Sequence, residues 1–105
     1  MANTTRPSRL TDQALAQALL ALPGWTRDGD QLRRELRFTD FVEAFAFMSA
    51  MALVSEALNH HPEWHNVYNR VSIALTTHDA GGLTQLDLTW AERAEARLRK
   101  LGSAG

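Results

Sequence analysis

The stretch FVEAFAFMSAMALVSEALNHHPEWHNVYNRVSIALTT, residues 41–77, decides the fold of this chain. Its first half is almost continuously apolar, which at this length predicts a long helix. Its second half contains two short segments, 64–68 and 71–77, with the alternation of a half-buried strand clearest in the latter. The pair Asn69-Arg70 between them predicts a hairpin turn, because Asn tolerates the positive φ that tight turns need.

The long helix should begin near Thr39 or Asp40 and end near Leu58. Asp40 and Glu43 have the spacing of a capping box, and Pro62 disfavours helical backbone at the residue before it. The polar side chains of this helix do not fall on one stripe, so the helix is apolar over most of its circumference. We therefore expect burial on two sides, by its own sheet and by a partner subunit.

The residues on either side of this stretch predict the remaining elements. Apolar spacing indicates a helix near each end of the chain, and Gly29-Asp30 indicates a turn between two further strands. The predicted bounds are 11–22 for the first helix, capped by Thr11, 25–28 and 31–38 for the strands, and 84 or 89 to 101 for the last helix. The order αββαββα predicts an α+β fold: a four-stranded antiparallel sheet with three helices packed on one face.

The composition fits one small cytoplasmic domain. The 105 residues are 45% hydrophobic and include no cysteine, which excludes disulfides, thiolate metal sites and a cysteine nucleophile. A net charge of −1 predicts no attraction to nucleic acid or to an anionic membrane. Residues 1–10 lack the apolar core of a secretory signal, and polar residues interrupt the segment 41–58. We expect a domain at 10–101, a flexible lead-in at 1–9 and a flexible tail at 102–105.

The histidines form the one cluster in the sequence that indicates chemistry. All four lie within nineteen residues, and three carboxylates accompany them: His60, His61, His65 and His78, with Glu56, Glu63 and Asp87. Glu56 precedes His60 by one helical turn, so the two share a face if the helix extends that far. These residues fall at the predicted ends of helices and strands, which is where functional sites usually lie.

Two other interpretations of the histidine cluster do not involve acid–base catalysis. A zinc site is one, but the helical pair of histidines four residues apart is missing, because Pro62 stands between His61 and His65. Adjacent histidines such as His60 and His61 also rarely point at the same ion. The other reading is that the histidines only cap helices, form ion pairs and face water.

The spacing of these residues resembles a known family. The pattern is E-x3-HHP-x5-Y-x9-H-x8-D from Glu56 to Asp87, and it includes HHPEW at 60–64, NVYN at 66–69 and THDAGGLT at 77–84. Outside it, LPGW at 22–25 and FTDF at 38–41 also match. Over about residues 10–98 the chain resembles the pterin-4a-carbinolamine dehydratases.

The resemblance implies a hydro-lyase that removes water from 4a-hydroxytetrahydropterin and yields quinonoid dihydropterin, which is then recycled to tetrahydrobiopterin. It implies no metal and no cofactor, and it implies an aromatic amino-acid hydroxylase as the metabolic partner. It also implies a homodimer or homotetramer that packs through the helix from Thr39 to Leu58. An alternative is a non-catalytic dimerisation module, because animal members resembling this fold also serve as partners of a homeodomain transcription factor.

The resemblance also implies roles for individual residues. His61 and His78 are the candidate acid–base pair, and His60 lines the pocket and assists, since histidine transfers protons near neutral pH without large tuning. Glu56 and Asp87 would orient imidazoles or stabilise their charged forms.

The residues expected to bind the pterin itself are fewer. Trp64 is the candidate flat surface beside the ring, with ordinary core packing as the alternative. The backbone around Thr77 to Asp79 is expected to meet the amide edge of the pterin. His65 departs from the usual family pattern and is expected on the surface.

Overall fold

The computed structural model describes residues 7–101. In this part of the chain the order αββαββα is confirmed. The elements are α1 Asp12–Leu19, β1 Thr26–Asp28, β2 Gln31–Arg37, α2 Phe41–Leu58, β3 Glu63–Val67, β4 Arg70–Leu75 and α3 Gln85–Leu101, with a 3-10 helix His78–Ala80 before α3. Residues 1–6 of the predicted lead-in and the predicted tail 102–105 lie outside the described residues. Arg9, also assigned to the lead-in, donates a hydrogen bond to the Gly81 carbonyl at 3.1 Å.

The four strands form one antiparallel sheet in the order β1-β2-β4-β3. The two central strands are β2 and β4, whose register sets Leu32 opposite Leu75 and Leu36 opposite Val71. These four side chains are buried in the core with the helices. On the other face, Ser72 Oγ donates to Glu35 at 2.6 Å near the surface. The strand period of two thus separates a helix-covered face from an open one.

The start of α2 is capped at Asp40 and its end falls at Leu58, both as the sequence predicts, with one difference in the detail of the first cap. Asp40 accepts from the Glu43 N–H at 2.9 Å, while the Glu43 carboxylate reaches one residue further back, to the N–H of Thr39 at 3.0 Å. At the other end, Asn59 has a left-handed backbone with φ of 51° and stops the helix.

Among residues 7–101, the part of the chain that the structure describes, one stripe of α2 is buried. The buried residues Ala44, Phe47, Met51 and Ser55 recur every three or four positions and lie against the rest of the domain. By length and composition α2 is, within residues 7–101, the one helix apolar enough to cross a membrane, a criterion that core helices also meet. Because its inner stripe packs along the whole helix, α2 is an integral core element with an uncovered outer face.

The second hairpin turns one residue earlier than the sequence predicts. Val67 pairs with Arg70, so the turn residues are Tyr68 and Asn69, and Tyr68 takes the positive φ of 51°. Asn69 instead anchors the turn to the end of β2: its carbonyl accepts from the Phe38 N–H and its amide donates to the Phe38 carbonyl. This long-range anchoring outweighs the local turn preference of Asn.

A half-buried polar bridge connects the first hairpin to α3. Glu95 accepts from the Trp25 indole N–H at 2.8 Å and from Arg34 Nε at 3.0 Å. We expect Glu95→Ala to lower the free energy of unfolding by about 2 kcal/mol, because it leaves two hydrogen-bond donors unpaired. Urea unfolding checks this, with Glu92→Ala on the exposed side of α3 as control. Equal midpoints for the two variants would contradict the assigned role.

Candidate active site

The predicted site residues lie where four elements end or begin. The chain leaves α2 after Leu58, passes through His60 and His61, and enters β3 at Glu63. Since Glu63 pairs with Ala74 near the end of β4, the residues after β4, including His78, lie beside this connection. The start of α3 closes the group, because Asp87 in its first turn contacts His60.

His60 and Asp87 form a buried pair. The His60 Nε2 atom lies 2.6 Å from Asp87 Oδ1, and their side chains are 9% and 0% exposed. This contact has the geometry expected if Asp87 orients an imidazole, and the imidazole is that of His60. A buried charged side chain must have partners to offset its lost hydration.

Asp87 has those partners because of the way α3 begins. Its Oδ2 atom accepts from the Thr84 N–H at 2.9 Å, and the Thr84 hydroxyl accepts from the Leu86 N–H at 3.2 Å. This is a capping box with Thr84 at the cap. The side-chain role of Thr84 was not predicted, although the pattern Thr-x-x-Asp is readable in the sequence and selects Thr84 over Thr89 as the helix start.

Glu56 pairs with His61 and not with His60. The Glu56 Oε2 and His61 Nε2 atoms are 2.6 Å apart, and both side chains are largely exposed. Glu56 and His60 do not share a helix face, because the helix ends at Leu58 and the left-handed Asn59 redirects the chain. His60 therefore turns inward, and His61 lies back against the last turn of α2.

His78 lies close to Glu63, a carboxylate without a predicted role. The His78 Nε2 and Glu63 Oε2 atoms are 3.5 Å apart, and both side chains are mostly exposed. Each of the three predicted histidines thus has a carboxylate within 4 Å. Within residues 7–101, no hydrogen bond joins two of these histidine rings, and no group of three or more His, Asp or Glu is arranged to hold a metal ion.

The residues expected to bind the pterin occupy different environments. Trp64 is half-buried and packs edge-on against Trp90, with ring centroids 6.1 Å apart. Asp79 is exposed in the 3-10 helix. Thr77 is buried: its N–H and carbonyl bond to residues of its own turn, and its hydroxyl donates to Asp87 at 2.8 Å.

His65 is separate from these pairs. It lies opposite Ser72 on the open face of the sheet and is exposed, as predicted from the sequence. It therefore serves as an internal comparison for the histidines of the candidate site.

Comparisons with known proteins agree with the fold and with the motif. The sequence profile described as Pterin 4 alpha carbinolamine dehydratase matches residues 8–97. A Prochlorococcus marinus (strain MIT 9303) protein provisionally named as such a dehydratase is 55% identical over 83 residues, covering 79% of this chain and 86% of the relative. One with the same provisional name from Sinorhizobium fredii is 48% identical over 92 residues, covering 86% and 88%.

Solved structures show the same fold. The crystal structure of a transcriptional coactivator/pterin dehydratase from Brucella melitensis superposes with a TM-score of 0.83 at 44% identity, covering 85% of this chain and 97% of that one. A pterin dehydratase-like protein described as a RuBisCO assembly factor in the alpha-carboxysome has a TM-score of 0.57 at 23% identity, covering 69% and 83%, which is a likeness of fold alone. With a profile match over most of its length and relatives near 50% identity, this chain belongs to the pterin-4a-carbinolamine dehydratase family.

Proposed function

We propose that this protein dehydrates 4a-hydroxytetrahydropterin to quinonoid dihydropterin in tetrahydrobiopterin recycling. The observation that carries the proposal is the set of three histidine–carboxylate pairs around one end of the sheet, in a chain of this family. Three such pairs provide proton donors and acceptors that work near neutral pH.

The reaction needs one proton donor and one proton acceptor. The 4a hydroxyl leaves as water when it receives a proton, and the neighbouring ring nitrogen gives up its proton, so the two transfers balance. His61 and His78 are the proposed acid–base pair, because both are exposed to an incoming substrate and each has a carboxylate neighbour. Glu56 stabilises the charged form of His61, and His60 with Asp87 assists from the buried side.

Binding of the pterin is proposed to use Trp64 and the backbone at His78 and Asp79. The half-buried indole of Trp64 is held by Trp90 behind it, which suits a rigid surface for a planar ring. Thr77 is not needed as a contact, since its backbone groups are engaged in the turn.

We also propose that α2 forms a homodimer or homotetramer in the cytoplasm, with a second copy rather than a membrane or nucleic acid against its outer face. Its exposed apolar side chains are the support: Val42 is 73% exposed, Phe45 54% and Leu53 74%. A contiguous apolar surface of this kind marks an interaction site. An aromatic amino-acid hydroxylase would be a metabolic partner that supplies the substrate.

The direct test measures the dehydration rate of enzymatically generated 4a-hydroxytetrahydropterin with and without the protein, in the presence of EDTA. We expect acceleration that the chelator does not abolish. Loss of activity with EDTA would support a metal enzyme instead. No acceleration would overturn the proposal and favour a non-catalytic interaction module.

Variants of the acid–base pair test the assignment of residues. His61→Ala and His78→Ala should each lower the rate at least about tenfold, because a positioned acid or base contributes about 10²–10⁴-fold. Oligomer size should not change, and His65→Ala on the open sheet face should retain full activity. Normal turnover in both site variants would contradict the catalytic assignment.

A further inference from the structure

The hydroxyls of Thr77 and Thr84 form a short, buried chain that ends on Asp87. The Thr77 and Thr84 Oγ1 atoms are 2.8 Å apart, and Thr77 Oγ1 is 2.8 Å from Asp87 Oδ2. All three residues are buried, with exposures of 5%, 0% and 0%. A buried chain of hydrogen bonds holds its members in one geometry only if each donor has an acceptor.

The protons of this chain can be assigned by counting donors. Each hydroxyl has one proton. Because Thr77 gives its proton to Asp87, the contact between the two hydroxyls requires Thr84 to donate to Thr77. Asp87 Oδ2 then accepts from both the Thr77 hydroxyl and the Thr84 N–H, and Oδ1 is left for His60. These are the partners of an ionised carboxylate, which only accepts, so the Nε2 atom of His60 must carry the proton.

In the neutral form of His60, the other ring nitrogen is consequently an acceptor. A neutral imidazole protonated at Nε2 has its lone pair on Nδ1. Within the described residues 7–101, Nδ1 has no hydrogen-bond partner, although His60 is only 8% exposed. An unpaired polar atom in a nearly buried ring calls for an explanation, and a bound ligand provides one.

We propose that Thr77 and Thr84 are positioning residues, which lock Asp87 so that His60 presents Nδ1 as a proton acceptor toward the pterin. This rests on the proposed function. His60 then assists the acid–base pair: its Nδ1 atom accepts the proton that the base of that pair has taken from the pterin ring nitrogen, and it returns this proton to solvent. The imidazolium formed in between is stabilised by Asp87, as in other catalytic histidine–carboxylate pairs.

The kinetic test separates positioning from substrate contact. Thr77→Val keeps the shape of the side chain and removes its hydroxyl, so we expect kcat to fall about tenfold, the effect of losing one hydrogen bond to a charged group. KM should stay within about twofold, because Thr77 does not touch the pterin. Thr77→Ser should restore kcat, and Thr76→Val, at the half-buried neighbour, should behave as the wild type. A raised KM with unchanged kcat would overturn the positioning role.

A spectroscopic test on the unmodified protein does not depend on activity. The ¹⁵N chemical shifts of the His60 ring should show a neutral imidazole protonated at Nε2 in the wild type and in Thr77→Val, and a ring protonated at Nδ1 in Asp87→Asn. A ring protonated at Nδ1 in the wild type, or a tautomer unchanged in Asp87→Asn, would overturn the inference. Failure of the proposed function looks different: the wild type would not accelerate dehydration, whatever the His60 tautomer.

Discussion

Replacing Asp87 by asparagine is expected to lower the dehydration rate about a hundredfold or more while the domain remains folded. A comparable carboxylate-to-amide change in a catalytic histidine pair acts by imposing the wrong tautomer. The same should hold here, because Asp87 has two oxygens that accept from opposite sides: Thr77 and Thr84 at one, His60 at the other.

An amide cannot satisfy both sides as a carboxylate does. Its oxygen can accept from the Thr84 N–H and the Thr77 hydroxyl, which leaves its NH₂ group facing His60. His60 must then accept at Nε2 and hold its proton on Nδ1. The Nδ1 atom, proposed to accept the proton that the pterin has released to the acid–base pair, thereby becomes a donor, so the substitution opposes proton transfer as well as removing assistance.

The measurement is kcat and KM for Asp87→Asn beside Glu92→Gln, a matched loss of charge on the exposed side of α3. Thermal unfolding of both variants shows whether the fold is retained. If Asp87→Asn is folded and retains more than about a tenth of wild-type activity, the role of Asp87 through the His60 tautomer is refuted.

The second large effect concerns assembly. We expect the double variant Phe45→Glu and Leu53→Glu to be monomeric at concentrations where the wild type is oligomeric. Both side chains are more than half exposed on the outer face of α2 in the single chain. In a symmetric interface each substitution occurs twice, so four carboxylates would have to be buried without partners. Weakening of the self-association constant by about a hundredfold or more is therefore expected.

Sedimentation or light scattering across a range of concentrations tests this directly. Leu20→Glu is the matched control, because Leu20 is 76% exposed just after α1 and lies outside the proposed interface. A wild type that is monomeric at all concentrations, or a double variant that assembles like Leu20→Glu, would rule out α2 as the interface.

Much of the fold follows from local sequence signals. The cap at Asp40, the turn at Gly29-Asp30 and the block to helix before Pro62 act on neighbouring residues, so they could be recognised without the tertiary structure. The sequence places the turn of the second hairpin one residue too late, because a contact between distant residues sets its position. Asn69 is tied to Phe38, a contact across 31 positions that turn preferences do not include.

The order of the elements, the composition of the histidine cluster and the resemblance to a family all follow from the sequence alone. Which carboxylate lies beside each histidine is visible only in the folded domain: Asp87 beside His60, Glu56 beside His61 and Glu63 beside His78. The pairings of His60 and His61 depend on the left-handed Asn59 and on the packing of α3 against Thr77 after β4, and that of His78 depends on the register of β3 against β4. Sequence spacing sets which residues are neighbours along an element, whereas contacts between elements depend on how the whole core packs.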